Sequence, residues 1–132
     1  DNYFGFDDAI FAAGRILQIV AQSNMKVSEM LADLPKTAYT PEIRIDCPDD
    51  KKFEIVRELT ETFRSQYEVI DIDGVRIDFD DGWALIRASN TQPVIVLRFE
   101  AKNEARLIKL VSIVKEMMDH YQPIVDFNYS IC

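Results

Sequence analysis

Arg87-Ala88-Ser89-Asn90-Thr91-Gln92-Pro93 is the stretch of this 132-residue chain whose residue types converge on one chemical task, the holding of a phosphate group. An arginine leaving a strand offers a planar cationic fork that bonds two phosphate oxygens at once. Ser89 and Thr91 each bring a hydroxyl donor, Asn90 tolerates the turn that bares neighbouring backbone N–H groups, and Pro93 closes the loop. The same residues also make an ordinary hairpin loop, because Ser, Asn and Thr favour turns through local hydrogen bonds. On residue types alone both readings stand.

The flanking sequence places this loop between two strands. Trp83 to Ala88 and Val94 to Glu100 read as a hairpin with the loop at its tip, held on both sides by sheet hydrogen bonds and so partly preorganised. Upstream, Ile70 and Ile72 alternate with Asp71 and Asp73, Asp73-Gly74 is a two-residue hairpin signal, and Val75, Ile77 and Phe79 resume the period of two before Asp81-Gly82 turns the chain again. Tyr39, Ile43, Ile45 and Cys47 alternate with polar residues as an earlier half-buried strand, with Pro41 marking an edge or a bulge. Between them Pro48-Asp49-Asp50 opens a helix whose expected buried face is Phe53, Val56, Leu59 and Phe63. Asn103 caps a last helix with the stripe Leu107, Leu110, Val111, Val114, Met117, Met118 and Tyr121. The order β-α-β-β-β-β-α implies an α+β domain, an antiparallel sheet with helices on one face.

The first third of the chain is organised differently. From Asp7 to about Gln22 the apolar residues spread over roughly 200° of a helical wheel, twice what a surface helix needs, so this helix is built to be enclosed by more than one partner. Val27 to Leu34 reads as a short second helix, with Ser28 as cap and Pro35 as stop, and Lys36 to Thr40 as a hinge.

Composition narrows the function classes. With 15 Lys and Arg against 23 Asp and Glu the formal charge is −8, which argues against nonspecific nucleic-acid binding; a phosphate must be captured locally. Cys47 and Cys132 do not form a disulfide framework, and His120 alone makes no zinc cluster. A reducing, cytoplasmic setting fits, and neither a targeting segment nor a membrane span is indicated. Asp71, Asp73, Asp78, Asp80 and Asp81 alternate onto the outer sheet face and turns instead of converging as a Mg²⁺ site would. Arg76 and Arg98 are expected to be solvated or paired with carboxylates such as Asp78 or Glu100, Lys51 and Lys52 to be solvated, and Cys47 to be an inert buried thiol.

Ile72 to Phe79, Gly82-Trp83, Arg87 to Pro93 and Val94 to Glu100 together resemble the C-terminal domain of the phosphomannomutase/phosphoglucomutase branch of the α-D-phosphohexomutases. Relatives acting on glucosamine phosphate usually carry Gly where Asn90 stands. Asn2-Tyr3-Phe4-Gly5-Phe6-Asp7-Asp8-Ala9 resembles the end of that family's third domain, and Pro41-Glu42-Ile43-Arg44 with Cys47-Pro48 the opening of its fourth. The resemblance implies that residues 1–36 are a helical remnant of domain three with a linker, and that residues 37–132 are domain four, with a TATA-binding-protein-like fold. It implies a fragment of a four-domain enzyme that interconverts hexose 1-phosphate and hexose 6-phosphate through a phosphoserine and a bisphosphorylated sugar, with Mg²⁺ and a hexose 1,6-bisphosphate activator serving the whole enzyme and no cofactor bound in this chain. Arg87, Ser89, Asn90 and Thr91 would hold the substrate phosphate; no catalytic group is implied here, and glucose is not ranked against mannose. The partners implied are a phosphorylated hexose and the remaining domains, with neither nucleic acid nor membrane. The helix Asp7 to Gln22, without its neighbours, is expected to pair with another copy, pack non-natively or be poorly ordered. A different reading remains: a free-standing, non-catalytic interaction module of the same fold that docks a partner through that helix.

Overall fold

The computed structural model describes residues 5–129. Asn2, Tyr3 and Phe4 of the resembling segment, and Cys132, lie outside the described residues. The chain divides into two compact units at Pro35 and Lys36.

The first unit contains helix α1, Ala9–Gln22, opened by Asp8, whose carboxylate accepts the Phe11 N–H at 2.8 Å. No residue of α1 is buried, although its sequence is apolar around most of its circumference. The expected second helix is instead a single 3-10 turn, Val27–Glu29, followed by turns. Its start is made by Glu29, whose carboxylate accepts the Lys26 N–H at 3.1 Å, and not by Ser28. Met25, Val27, Leu31 and Leu34 stay exposed. Eight residues without a buried face do not repay the cost of helix nucleation.

The second unit is one antiparallel sheet covered by two helices. Its elements are β1 (Ala38–Tyr39), β2 (Ile43–Asp46), α2 (Lys52–Arg64), β3 (Glu68–Ile70), β4 (Val75–Asp78), β5 (Gly82–Ala88), β6 (Val94–Ala101) and α3 (Glu104–Met118). The strand order is β1-β6-β5-β4-β3, with β2 also on β6. β1 and β2 are successive pieces of one edge strand. Tyr39 faces Glu100 and Ile43 faces Leu97, so residues 40–42 oppose only 98 and 99, and Pro41 sits in this bulge where no ladder N–H is needed. Thr40 secures the bulge: its N–H donates to the Phe99 carbonyl at 3.0 Å, and its buried hydroxyl accepts the Phe99 N–H at 3.1 Å.

The core lies between the sheet and α2 and α3. Ile43, Ile45, Val75, Ile77, Ala84, Ile86, Ile95, Leu97 and Phe99 meet Ile55, Val56, Leu59 and Phe63 of α2 and Leu107, Leu110, Val111, Val114 and Met118 of α3. Met117 and Tyr121 pack partly buried beside it. The Tyr121 hydroxyl donates to Glu58 at 3.1 Å, and burial followed by that carboxylate pushes its pKa up to about 12. Asn103 caps α3 as expected, accepting the Arg106 N–H at 2.9 Å.

Three local expectations are corrected by packing. Phe53 is 55% exposed and Ile55 takes its place, because α2 turns its Lys52, Ile55, Val56, Leu59, Thr60 and Phe63 stripe inward. Ile72 is 92% exposed, since β3 ends at Ile70 and the turn runs through residues 71–74, longer than a two-residue hairpin. Val69, not Ile70, leans toward the core, because Val69 pairs with the fully buried Ile77 and shares its face.

Asp81, in the β4–β5 turn, ties that turn to the start of α3. Its carboxylate accepts from Arg106 Nε at 2.6 Å and pairs with Lys102 Nζ at 3.3 Å, and these two cations hold its pKa below the ordinary carboxylate value, the Arg106 hydrogen bond most of all. A carboxylate with a lowered folded-state pKa stabilises the fold above its unfolded pKa and stops doing so as pH falls through the folded value. Asp81→Asn should therefore lower the urea midpoint at pH 7 and leave it unchanged once pH lies below the folded-state pKa. Parallel denaturation curves for the two proteins, offset equally at both pH values, would contradict this.

Candidate functional site

β5 and β6 pair in register from Gly82 with Ala101 to Ala88 with Ile95, so residues 89–93 form the hairpin tip. Alternation along β5 buries Ala84, Ile86 and Ala88 under the helices and leaves Trp83, Leu85 and Arg87 on the helix-free face. Arg87 pairs with Val96 and Val96 with Arg44, while in the next row Leu85 lies between Arg98 and Arg76. Directly paired residues share a face, so four arginines gather on the open side of a chain whose net charge is −8. Arg76 is not paired with Asp78: its guanidinium lies over the Trp83 ring, 5.1 Å from the centroid. Arg98 is exposed.

Arg87 is held by neighbours yet not saturated. Its terminal nitrogen is 3.4 Å from Asp73, longer than a charge-assisted hydrogen bond, and its buried Nε has no acceptor. The neighbouring turn brings Asp73 here because Gly74 lies directly against Arg87. A Cβ at Gly74 would fall 2.3 Å from the Ile86 carbonyl oxygen and 2.7 Å from Arg87 Cα, and the backbone takes φ +80°, open to glycine without strain. The Asp73-Gly74 pair thus does more than turn the chain, a role its sequence did not signal.

The loop has a definite polarity. Ser89, 9% exposed, points inward, and its hydroxyl oxygen accepts the N–H groups of Thr91 at 3.4 Å and Gln92 at 3.2 Å, long contacts for such donors. The Ser89 N–H donates to the Val94 carbonyl at 3.0 Å, closing the loop. Asn90 and Thr91 are exposed at the tip, and among the described residues neither the Asn90 amide group nor the Thr91 hydroxyl has a hydrogen-bond partner. Two of the loop carbonyls are engaged by the protein. Pro93 C=O accepts the Cys47 N–H at 2.8 Å, and Gln92 C=O accepts the Val94 N–H at 2.8 Å and Lys52 Nζ at 2.9 Å.

Lys52 is a correction to the expected solvated helix lysine. It is 3% exposed, and its ammonium also donates to Asp49 at 2.5 Å and lies over the Phe53 ring. Gln92, absent from the expected phosphate set, is the residue through which the loop is fastened: its carbonyl meets Lys52 and its side-chain oxygen accepts from Arg44. The only hint in the sequence is that Lys52 falls in phase with Ile55, Val56, Leu59 and Phe63 on the buried stripe. Cys47 is buried beside this anchor, and desolvation raises its thiol pKa despite the opposing Lys52 charge. His120 is exposed, with Nδ1 3.0 Å from the Glu116 carbonyl oxygen. Among the described residues no three His, Cys, Asp or Glu side chains converge on a point that could hold a metal ion, and no helix is long and apolar enough to cross a membrane.

Residues 42–117, which include β2 to β6, α2, all but the last residue of α3 and the whole 89–93 loop, match the family model for "Phosphoglucomutase/phosphomannomutase, C-terminal domain". A phosphomannomutase/phosphoglucomutase of Pseudomonas putida is 38% identical over 93% of this chain and 27% of its own length. A phosphoglucomutase of Neisseria gonorrhoeae is 38% identical over 90% of this chain and 26% of its own. In structure, a phosphoglucomutase/phosphomannomutase family protein of Burkholderia thailandensis superposes with a TM-score of 0.73 at 30% identity, over 96% of this chain and 27% of that one. The chain thus spans about a quarter of the length of the curated relatives it matches. With β2 to β6, the covering helices and the loop inside the matched region, the chain belongs to the phosphoglucomutase/phosphomannomutase family and carries that family's C-terminal domain.

Proposed function

We propose that the unit beginning at Lys36 holds the non-reacting phosphate of a hexose phosphate for a longer phosphohexomutase, through Arg87, Ser89, Asn90 and Thr91. The observation that carries this reading is the polarity of the loop: the Asn90 amide, the Thr91 hydroxyl and Arg87 keep donors unspent, while the carbonyls of Gln92 and Pro93 are engaged by Lys52, Val94 and Cys47. An oxyanion needs that arrangement, because a carbonyl lone pair facing it would repel it. The Ser89 hydroxyl oxygen accepts two amides and keeps its own proton for a ligand. Asp73 is displaced readily as the partner of Arg87, its ion pair being long and exposed.

In the whole enzyme the reaction is phosphoryl transfer between C1 and C6 of the sugar by way of a phosphoserine and a bisphosphorylated intermediate, with Mg²⁺, all supplied by polypeptide outside this chain. The present domain anchors one end. Binding energy collected at the remote phosphate orients the reacting end, which lowers the barrier only because the anchor is rigid. The setting would be cytoplasmic, where hexose phosphates are found. Alone, the chain would bind phosphosugar at about millimolar strength, because a single phosphate anchor without the enclosing domains yields little net affinity. In a ¹⁵N NMR titration with glucose 1-phosphate, shifts should gather at Ser89 to Gln92 and vanish in Arg87→Ala. Shifts scattered over other surfaces, or an Arg87→Ala protein that binds equally well, would overturn the assignment.

The unit ending at Pro35 is, in this reading, the end of a preceding domain followed by a linker. Its support is a groove of about 570 Å³ lined by Ile16, Ile19, Val20, Met25, Val27 and Leu31 among others, apolar surface that a longer protein would cover with its own residues. Without that cover the groove should pair with a second copy of the chain. Sedimentation velocity across a concentration series is expected to show reversible dimerisation that Ile16→Asp abolishes. A monomer at every concentration, with α1 still ordered by NMR, would refute the pairing.

A further inference from the structure

We infer that Lys52 is a positioning residue for the anion loop, a clamp that keeps the Gln92 carbonyl turned inward so that the tip presents donors. The inference rests on the phosphate reading above and deepens it by naming what gives the loop its polarity. Lys52 begins α2, forty residues before Gln92, and its side chain is almost wholly enclosed. An ammonium is not buried at this depth without acceptors to replace water, and here they are the Asp49 carboxylate at 2.5 Å and the Gln92 carbonyl at 2.9 Å. Asp49 is itself exposed, so the buried cation is neutralised from the solvent side while its other N–H reaches into the loop.

The geometry matters because Gln92 lies between two features with opposite needs. Its N–H faces the Ser89 hydroxyl oxygen, together with that of Thr91, so it is tied to a hydroxyl of the proposed phosphate set. Its C=O, which belongs to the next peptide unit, is held on the protein side between Lys52 Nζ and the Val94 N–H, the latter closing a tight turn at Pro93. The N–H of Cys47, at the end of the adjoining edge strand, holds the next carbonyl the same way. A flip of the Gln92–Pro93 peptide would bring a carbonyl dipole toward the phosphate, and the Lys52 bond opposes that flip. Because the ammonium lies behind the loop, it contributes orientation through a carbonyl instead of a direct contact with ligand, which separates it from Arg87, Ser89, Asn90 and Thr91.

The test compares Lys52→Met and Lys52→Arg with the parent chain, using inorganic phosphate and glucose 1-phosphate as probes. Methionine keeps the length and removes the donors; arginine restores them. In the ligand-free protein Lys52→Met should shift the amide signals of Thr91, Gln92 and Val94 and speed hydrogen exchange at Val94, while the signals of α3 stay in place. Its phosphate affinity should fall about tenfold through lost preorganisation, and Lys52→Arg should recover most of that loss. Unperturbed loop amides in ligand-free Lys52→Met, or an affinity equal to the parent's, would overturn the clamp even where Arg87→Ala abolishes binding. Undiminished binding by Arg87→Ala would instead overturn the phosphate reading, and the ligand-free amides would still decide whether the clamp exists. Should the methionine variant fail to fold, Lys52→Gln, neutral but polar, serves the same comparison, with parent-like loop amides and parent-like affinity counting against the inference.

Discussion

The register between β5 and β6 is the constraint on which the candidate site depends. Side chains alternate with a period of two, so a slip of one residue would drive Arg87 into the space of Ile86 and Ala88 beneath the helices and lift those apolar residues onto the open face. That exchange would bury a guanidinium without partners and is prohibitively costly. The helices enforce the register: α3 closes over Phe99 and Ala101 while α2 covers the sheet with Ile55, Leu59 and Phe63, and only one alternation satisfies both. The bulge at residues 40–42 completes the arrangement by letting the edge strand follow β6 to its beginning, where Cys47 meets Pro93.

A loop on a rigid hairpin is not yet an anion site; its peptide dipoles must agree. Here the agreement is imposed from three directions: Ser89 gathers amides, Cys47 takes one carbonyl and Lys52 takes another. Preorganisation of this kind saves the conformational cost that a flexible loop would meet on binding. Arg44, Arg76, Arg87 and Arg98 occupy two adjacent rows of the helix-free face, so the proposed ligand would meet cations beside Arg87 in a chain that is acidic as a whole, with Asp78 and Glu100 one row further along.

The two units illustrate different routes to order. The unit from Lys36 onward carries a shared core and polar caps, and its elements support one another. Helix α1 is apolar without being buried, so its stability depends on whatever surface comes to cover it. The relative from Pseudomonas putida is about three and a half times as long as this chain, which agrees with the proposal that further polypeptide covers α1.

Much of the architecture was legible in the linear text. Period-two runs gave β4, β5 and β6, Asn103 marked the start of α3, Pro41 marked the edge bulge, and the position of the candidate loop between strands followed from its flanks. These features are local: they are written in neighbouring residues and in steric rules that act over a few peptide units. What lay beyond reach was long-range. Phe53 yields the buried stripe to Lys52 and Ile55 because the far side of that stripe is a carbonyl forty residues away; Val69 outranks Ile70 because Ile77 lies opposite; the second helix dissolves into a 3-10 turn for want of a surface to pack on. The amino-acid order by itself determined the alternation that sends Arg87 to the open face. Only the tertiary structure decided that a buried ammonium would stand behind the loop, because a charge is tolerated in a core solely where folding brings acceptors to meet it.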